Sequence, residues 1–153
     1  MVRGPMVKGF SLMELLVVLA ILAIAAAVVA PGVGRTVDGV RARAEVGAIA
    51  AFLRSAREQA VSRHQTLEVR VDRESHTLVM RRAGQAGEAG VRATRAVSPL
   101  LRIAAGPLPP HVTFLPHGMS TGARFAIAAP GPRTYVITVD ALTGRVSTER
   151  TGS

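Results

Sequence analysis

The sequence predicts an α+β fold in which a long amino-terminal helix packs on a small antiparallel β-sheet or β-sandwich head. Three observations carry this expectation. Leu15 to Ala30 is wholly apolar, and a bilayer-crossing helix needs about 20 such residues. From Arg35 to Arg63, apolar or small residues recur every three or four positions, at Val37, Val40, Ala44, Ala48, Phe52, Ala56 and Ala60, which marks one helical face. Past Gln65 the period changes to two: Leu67, Val69 and Val71 alternate with Glu68, Arg70 and Asp72, as in a half-buried strand.

The first element starts at Phe10. Arg3 and Lys8 precede it, and only Ser11 and Glu14 interrupt its apolar character before Pro31. Placing one ionised side chain in hydrocarbon costs about 2.5 to 3.5 kcal/mol even on lenient scales, so Glu14 marks a functional position. Three readings compete. A cleaved secretory signal has a shorter apolar core ending in a small-x-small site. An uncleaved anchor needs only the apolar run with positive charge in front. A prepilin leader, cut on the cytoplasmic side after Gly9, is the one that explains the carboxylate. Cleavage there makes Phe10 a cationic amino terminus on the same helix as Glu14, and two such charges are relieved when a neighbouring subunit supplies the opposite sign. Pro31 removes a backbone donor and clashes with the preceding turn, so a helix break is expected there; it marks either the end of a membrane span or a bend within a longer helix.

The G-F-S-L-M-E run at Gly9 to Glu14, the apolar helix behind it and Pro31 resemble the type IV pilin and pseudopilin family. The resemblance implies that prepilin peptidase cuts the Gly9–Phe10 bond, that the Phe10 amine is methylated, that Glu14 recruits the subunit into a filament, and that Pro31 loosens a long first helix. It divides the chain into a cleaved leader at 1–9, a transmembrane and filament-core helix at 10–31, an amphipathic half-helix at 32–64 and a periplasmic β-rich head at 65–153.

The amphipathic half should lay its apolar stripe on a sheet, with Arg41, Arg43, Glu45, Arg54, Arg57 and Glu58 on other faces and Arg54 and Glu58 spaced for an exposed i,i+4 pair. Its A-F-L-R-S-A-R-E-Q-A-V stretch at Ala51 to Val61 resembles the L-x-x-A-R-x-x-A helix of GspH- and FimT-like minor pseudopilins. In the head, D-R-E-S joins the first strand to Thr77–Arg82 as a hairpin. Ala83 to Ala96, rich in glycine, alanine and charge, reads as an exposed loop. Further strands are expected near Ser98–Ile103, His111–Leu115, Ala123–Ala128, Thr134–Asp140 and Arg145–Glu149, separated by P-L-P-P, P-H-G-M-S-T-G, A-P-G-P-R and A-L-T-G. Phe114, Phe125, Tyr135, Ile137 and Val139 are core candidates, and Gly118 and Gly144 suit turns of unusual backbone angle. The carboxy-terminal V-T-F-L-P-H-G-M-S-T-G, R-F-A-I and Y-V-I-T-V-D-A-L-T-G-R-V-S runs resemble the same family. The chain departs from it in having no tryptophan, which the family often carries in its central strands, and in lacking after Gly144-Arg145-Val146 the second arginine that some DNA-capturing FimT-like members carry.

The remaining composition is sparing with chemistry. No cysteine is present, so disulfide and thiol chemistry are excluded. His64, His76, His111 and His117 lack metal-ligand spacing, and no nucleophile elbow, phosphate loop or paired carboxylate occurs. Asp140 is expected to cap a turn. Neither catalysis nor a metal or cofactor is expected. A formal charge of +9 suits anionic partners, whereas an aromatic content of 3% argues against a base-stacking platform.

The family resemblance implies a structural role: a minor pseudopilin of the type II secretion pseudopilus, which functions in protein secretion. Its partners would be prepilin peptidase, other pseudopilins or pilins, the inner-membrane assembly platform and membrane lipid. It would be a single-pass inner-membrane protein with a cytoplasmic amino terminus and a periplasmic head. The alternative is a FimT-like type IV minor pilin acting in pilus assembly or DNA uptake, with Arg133, Arg145 and Arg150 as phosphate contacts.

Overall fold

The computed structural model describes residues 11–85, 87–104 and 111–152, with side-chain surroundings for all of these except 28–36 and 88. The expected leader, the Gly9–Phe10 junction and the P-L-P-P separator lie outside them. The chain divides into two compact units, Met1–Asp38 and Gly39–Ser153. Helix α1 (Leu12–Ser62) contributes to both.

In the first unit, every described side chain from Ser11 to Ala27 is exposed, including Leu12, Leu15, Leu16, Leu19, Ile21, Leu22 and Ile24. None of the described side chains of that unit covers this surface. Among the described residues no helix is long and apolar enough to cross a membrane; the apolar run Leu15–Ala30 extends beyond Ala27, where the described side chains stop. The helix break expected at Pro31 is absent as an interruption, because α1 is continuous from Leu12 to Ser62. One proline deletes a single i→i−4 bond, and the ladder resumes on either side of it.

The described residues of the second unit form eight strands: β1 (Leu67–Asp72), β2 (Thr77–Arg82), β3 (Val91–Ala96), β4 (Arg102–Ala104), β5 (His111–Phe114), β6 (Ala123–Ala128), β7 (Thr134–Val139) and β8 (Val146–Thr151). They form two antiparallel sheets, ordered β3-β2-β1-β5 and β4-β6-β7-β8. Alternation explains their inner faces. Leu67, Val69 and Val71 of β1 and Ala123, Phe125 and Ile127 of β6 are buried, while Arg70, Asp72, Arg124 and Ala128 are exposed. The five core candidates Phe114, Phe125, Tyr135, Ile137 and Val139 are all buried.

One apolar cluster joins both sheets to α1. Its helical members are Ala42, Val46, Ile49, Ala50, Leu53, Ala56 and Ala60, so the expected stripe is corrected. Val37, Val40 and Ala44 are exposed, and Ala48 and Phe52 are half-buried. A run built on steps of four drifts about 40° per step around a helix of 3.6 residues per turn. It therefore meets the true face fully at Ala56 and Ala60 and at its margin at Phe52, which packs partly buried against the core, whereas the alternation 42, 46, 49, 53, 56, 60 stays on it. Ala56 and Ala60 are completely buried, a close approach that larger side chains would prevent.

The helix ends where His64 adopts φ 53°. The His64 N–H donates to the Val61 carbonyl at 3.3 Å and the Gln65 N–H to the Ala60 carbonyl at 3.0 Å, a Schellman arrangement with histidine where glycine is usual. Two other expectations change. The second half of the predicted Ala83–Ala96 loop is a 3-10 turn, Glu88–Gly90, followed by β3. Strand β3 pairs only with β2 and is mostly exposed, so its sequence lacks the alternation that marks half-buried strands. The strand near Ser98–Ile103 shrinks to Arg102–Ala104, because Ser98 to Leu101 is a turn in which the Leu101 N–H donates to the Ser98 carbonyl.

Arg57 and two glycine-bearing turns close one end of the head. The Arg57 Nε donates to the carbonyls of Thr143 at 3.0 Å and Gly118 at 3.3 Å. Gly118 and Gly144 have φ 90° and 62°, in the left-handed region that favours glycine. Buried Ser120 donates from its hydroxyl to the Asp140 carbonyl at 2.9 Å and accepts from the Gly122 N–H at 3.0 Å. The Asp140 carboxylate accepts from the Thr143 hydroxyl at 2.7 Å and the Thr143 N–H at 2.8 Å. Those bonds, the hydroxyl first, hold its pKa below the ordinary carboxylate value. A depressed folded-state pKa contributes stability above the unfolded value, which is lost as pH falls through the folded one.

Three outcomes follow for unfolding in urea. Leu53→Ala should destabilise by about 2 to 5 kcal/mol, while Val40→Ala stays within about 0.5 kcal/mol; equal effects would contradict the corrected stripe. His64→Gly should stabilise by about 1 kcal/mol by relieving the left-handed histidine. Gly144→Ala should destabilise by about 2 kcal/mol or more, because its Cβ would meet the Gly118 carbonyl oxygen and stand 2.9 Å from the Arg57 Nε.

Candidate functional site

Two places collect the residues singled out by the sequence. The first is the start of α1. The Leu15 N–H donates to the Ser11 carbonyl at 3.2 Å, so the helix begins at Leu12 and puts Glu14 in its first turn. That turn carries amide donors without intrahelical partners and the positive end of the helix dipole, both favourable to a carboxylate. Glu14 is exposed there beside Leu12, Met13, Leu15 and Leu16, themselves 56% to 79% exposed. An acceptor-only charge thus stands on an apolar surface, and among the described residues it makes no ion pair.

The second place lies within the Gly39–Ser153 unit, between α1 and β8. Two adjoining grooves, of about 650 and 590 Å³, share Arg54 and form one trough. Arg43, Arg54 and Arg57 come from α1, with Arg145 and Arg150 from the opposite wall; Glu58 is the one carboxylate lining it. Buried Tyr135 forms part of the floor. Strand β8 is antiparallel to β7 in the register Val139↔Val146 to Thr134↔Thr151. Val146, Thr148 and Arg150 therefore share one face of β8, and all three line the trough.

Among the described residues the ion pairs are Arg70–Glu68 at 3.0 Å and Arg95–Glu45 at 3.4 Å. The expected Arg54–Glu58 pair is not one of them. Both side chains are exposed, where an ion pair gains little against the entropy of holding two long side chains together.

Of the three arginines considered for phosphate contact, Arg145 and Arg150 line the trough. Arg133 does not; it immediately precedes β7, and a Cβ at Gly39 would meet its guanidinium. Arg43 and Arg54 were legible as a pair, because eleven residues are about three full helical turns and put both within about 20° of one direction. Their meeting with Arg145 and Arg150 depends on strand placement and has no local signal. His64, His76 and His117 are exposed and His111 is half-buried. Among the described residues, no group of three or more His, Asp or Glu side chains is placed to hold a metal ion.

Comparison with known proteins gives a consistent family. A model described as type II transport protein GspH matches residues 45–143, and one described as the prokaryotic N-terminal methylation motif matches residues 5–30. No curated protein matches. The fold is similar to that of the type IV minor pilin FimU of Pseudomonas aeruginosa in two crystal forms, with TM-scores of 0.60 and 0.59 and 20% identity, covering 70% and 73% of this chain and 91% and 90% of FimU. It is also similar to the minor pseudopilin EpsH from the type 2 secretion system of Vibrio cholerae, with a TM-score of 0.50 and 15% identity over 75% of this chain and 96% of EpsH. The GspH match takes in the amphipathic helix from Glu45 onward, both residues whose carbonyls Arg57 holds, Gly118 and Thr143, and seven of the eight described strands. This chain belongs to the type II transport protein GspH family.

Proposed function

We infer that the chain serves as a minor pseudopilin, a structural subunit of a type II secretion pseudopilus. The observation that carries this is the union on one chain of the amino-terminal methylation motif at 5–30 with the GspH match at 45–143. Pilins and pseudopilins are structural subunits that assemble with one another, and the motif is the substrate of prepilin peptidase. Cleavage after Gly9 makes Phe10 the methylated amino terminus and Glu14 the fifth residue of the mature chain.

The chemistry of recruitment follows from those two groups. A mature subunit carries an ammonium at Phe10 and a carboxylate at Glu14, separated by about one helical turn. Each is costly at the edge of hydrocarbon. A neighbour shifted along the filament axis brings its Phe10 ammonium to this Glu14, so assembly neutralises both and sets the axial register. Pro31 leaves the Ala27 carbonyl without its usual intrahelical donor, which gives α1 a place to yield as the subunit leaves the bilayer. The subunit is anchored once in the inner membrane with its amino terminus cytoplasmic, docks on the assembly platform there, and holds its head in the periplasm.

Mass spectrometry of the membrane-extracted protein should find a chain beginning at N-methylated Phe10. An intact Met1 would overturn the processing. Glu14→Ala should leave membrane insertion and cleavage unchanged while lowering incorporation into filaments on the order of a hundredfold, the loss expected from unpairing a desolvated charge; wild-type incorporation would remove the role assigned to the carboxylate.

A further inference from the structure

We propose that the trough between α1 and β8 receives an extended acidic protein segment, which adds to the head as a strand along the outer edge of β8. This inference goes beyond the subunit reading and does not depend on processing at Gly9, so the two fail separately.

Four features of the trough specify its occupant. Its charge is strongly one-sided, with five arginines against the single carboxylate of Glu58. Arg57 is already fixed by the carbonyls of Gly118 and Thr143, so one wall is ordered before anything binds. Strand β8 ends its sheet in the order β4-β6-β7-β8. Its outer edge pairs with no strand among the described residues, leaving a row of backbone donors and acceptors along the trough. Finally, Gly47 lines the α1 wall, and a Cβ there would meet nothing within 4 Å. Glycine inside a helix costs about 0.5 to 1 kcal/mol relative to alanine, and among the described residues no neighbour requires it at this position. The missing side chain instead keeps the trough open.

Charge alone would admit any polyanion, but the strand edge discriminates. Alternating N–H and C=O groups along β8 are matched by another peptide backbone, the geometry of strand addition, whereas a phosphate chain presents acceptors only. Along such a segment, carboxylates on one side face the arginines, forming charge-assisted hydrogen bonds, while small apolar residues lie over Tyr135.

The test uses the full chain in detergent and a labelled alternating Glu-Val peptide of about ten residues, the length of a long strand. Binding should weaken about tenfold or more in an Arg54→Gln/Arg150→Gln double variant, whose altered side chains are exposed and leave the core intact. Gly47→Leu should weaken it comparably by filling the trough while unfolding no earlier than the wild type. A peptide N-methylated at alternate residues should lose binding, and the unmodified peptide should slow amide exchange in Ser147 to Thr151. Equal binding of the N-methylated peptide would overturn strand addition. An oligothymidylate that outcompetes the peptide with the same arginine dependence would assign the trough to nucleic acid instead, and failure of the peptide to bind would also overturn the proposal.

Discussion

The head is organised around two turns of helix, Leu53 to Ala60. Leu53, Ala56 and Ala60 present an almost inaccessible face to the common core, and the intervening Arg57 reaches outward to two carbonyls contributed by distant turns. The alanines permit the close approach, while the guanidinium secures its far end. Apolar burial is non-directional, so it brings the sheets to the helix without fixing their relation to it. Hydrogen bonds to Gly118 and Thr143 supply that direction. Changes in this stretch should therefore reach all the connected strands.

The glycines belong to the same constraint. Gly144 is needed less for freedom in its own loop than for the space it leaves between Arg57 and the Gly118 carbonyl. Asp140 and Thr143 shape one turn, and Ser120 attaches the other to it. This joins the L-x-x-A-R-x-x-A helix, the H-G-M-S-T-G loop and the D-A-L-T-G-R turn, three recognisable stretches of sequence, into one physical unit.

Most of the architecture was legible because period and turn chemistry are local. The alternation in Leu67–Asp72 and Ala123–Ala128 identified strands, and the D-R-E-S and A-L-T-G turns separated them. Strand β3 was hidden because V-R-A-T-R-A forms an exposed edge and has little reason to alternate. The helix stripe was found but misphased, since evenly spaced small residues look like a face even when they rotate around it. Glu14 stood out through its cost in an apolar run. The trough was only half legible: Arg43 and Arg54 share a helical direction, but their nearness to Arg145 and Arg150 is created by the pairing of β7 with β8.

That crowding of arginines also constrains which heads can be neighbours. Two copies brought together trough to trough would oppose like charge over the whole face, a penalty that tightens as water is excluded. The surface consequently disfavours pairing between identical heads and favours an unlike, acidic one. A head with such a face is better suited to bind beside something unlike itself than to stack on its own copy.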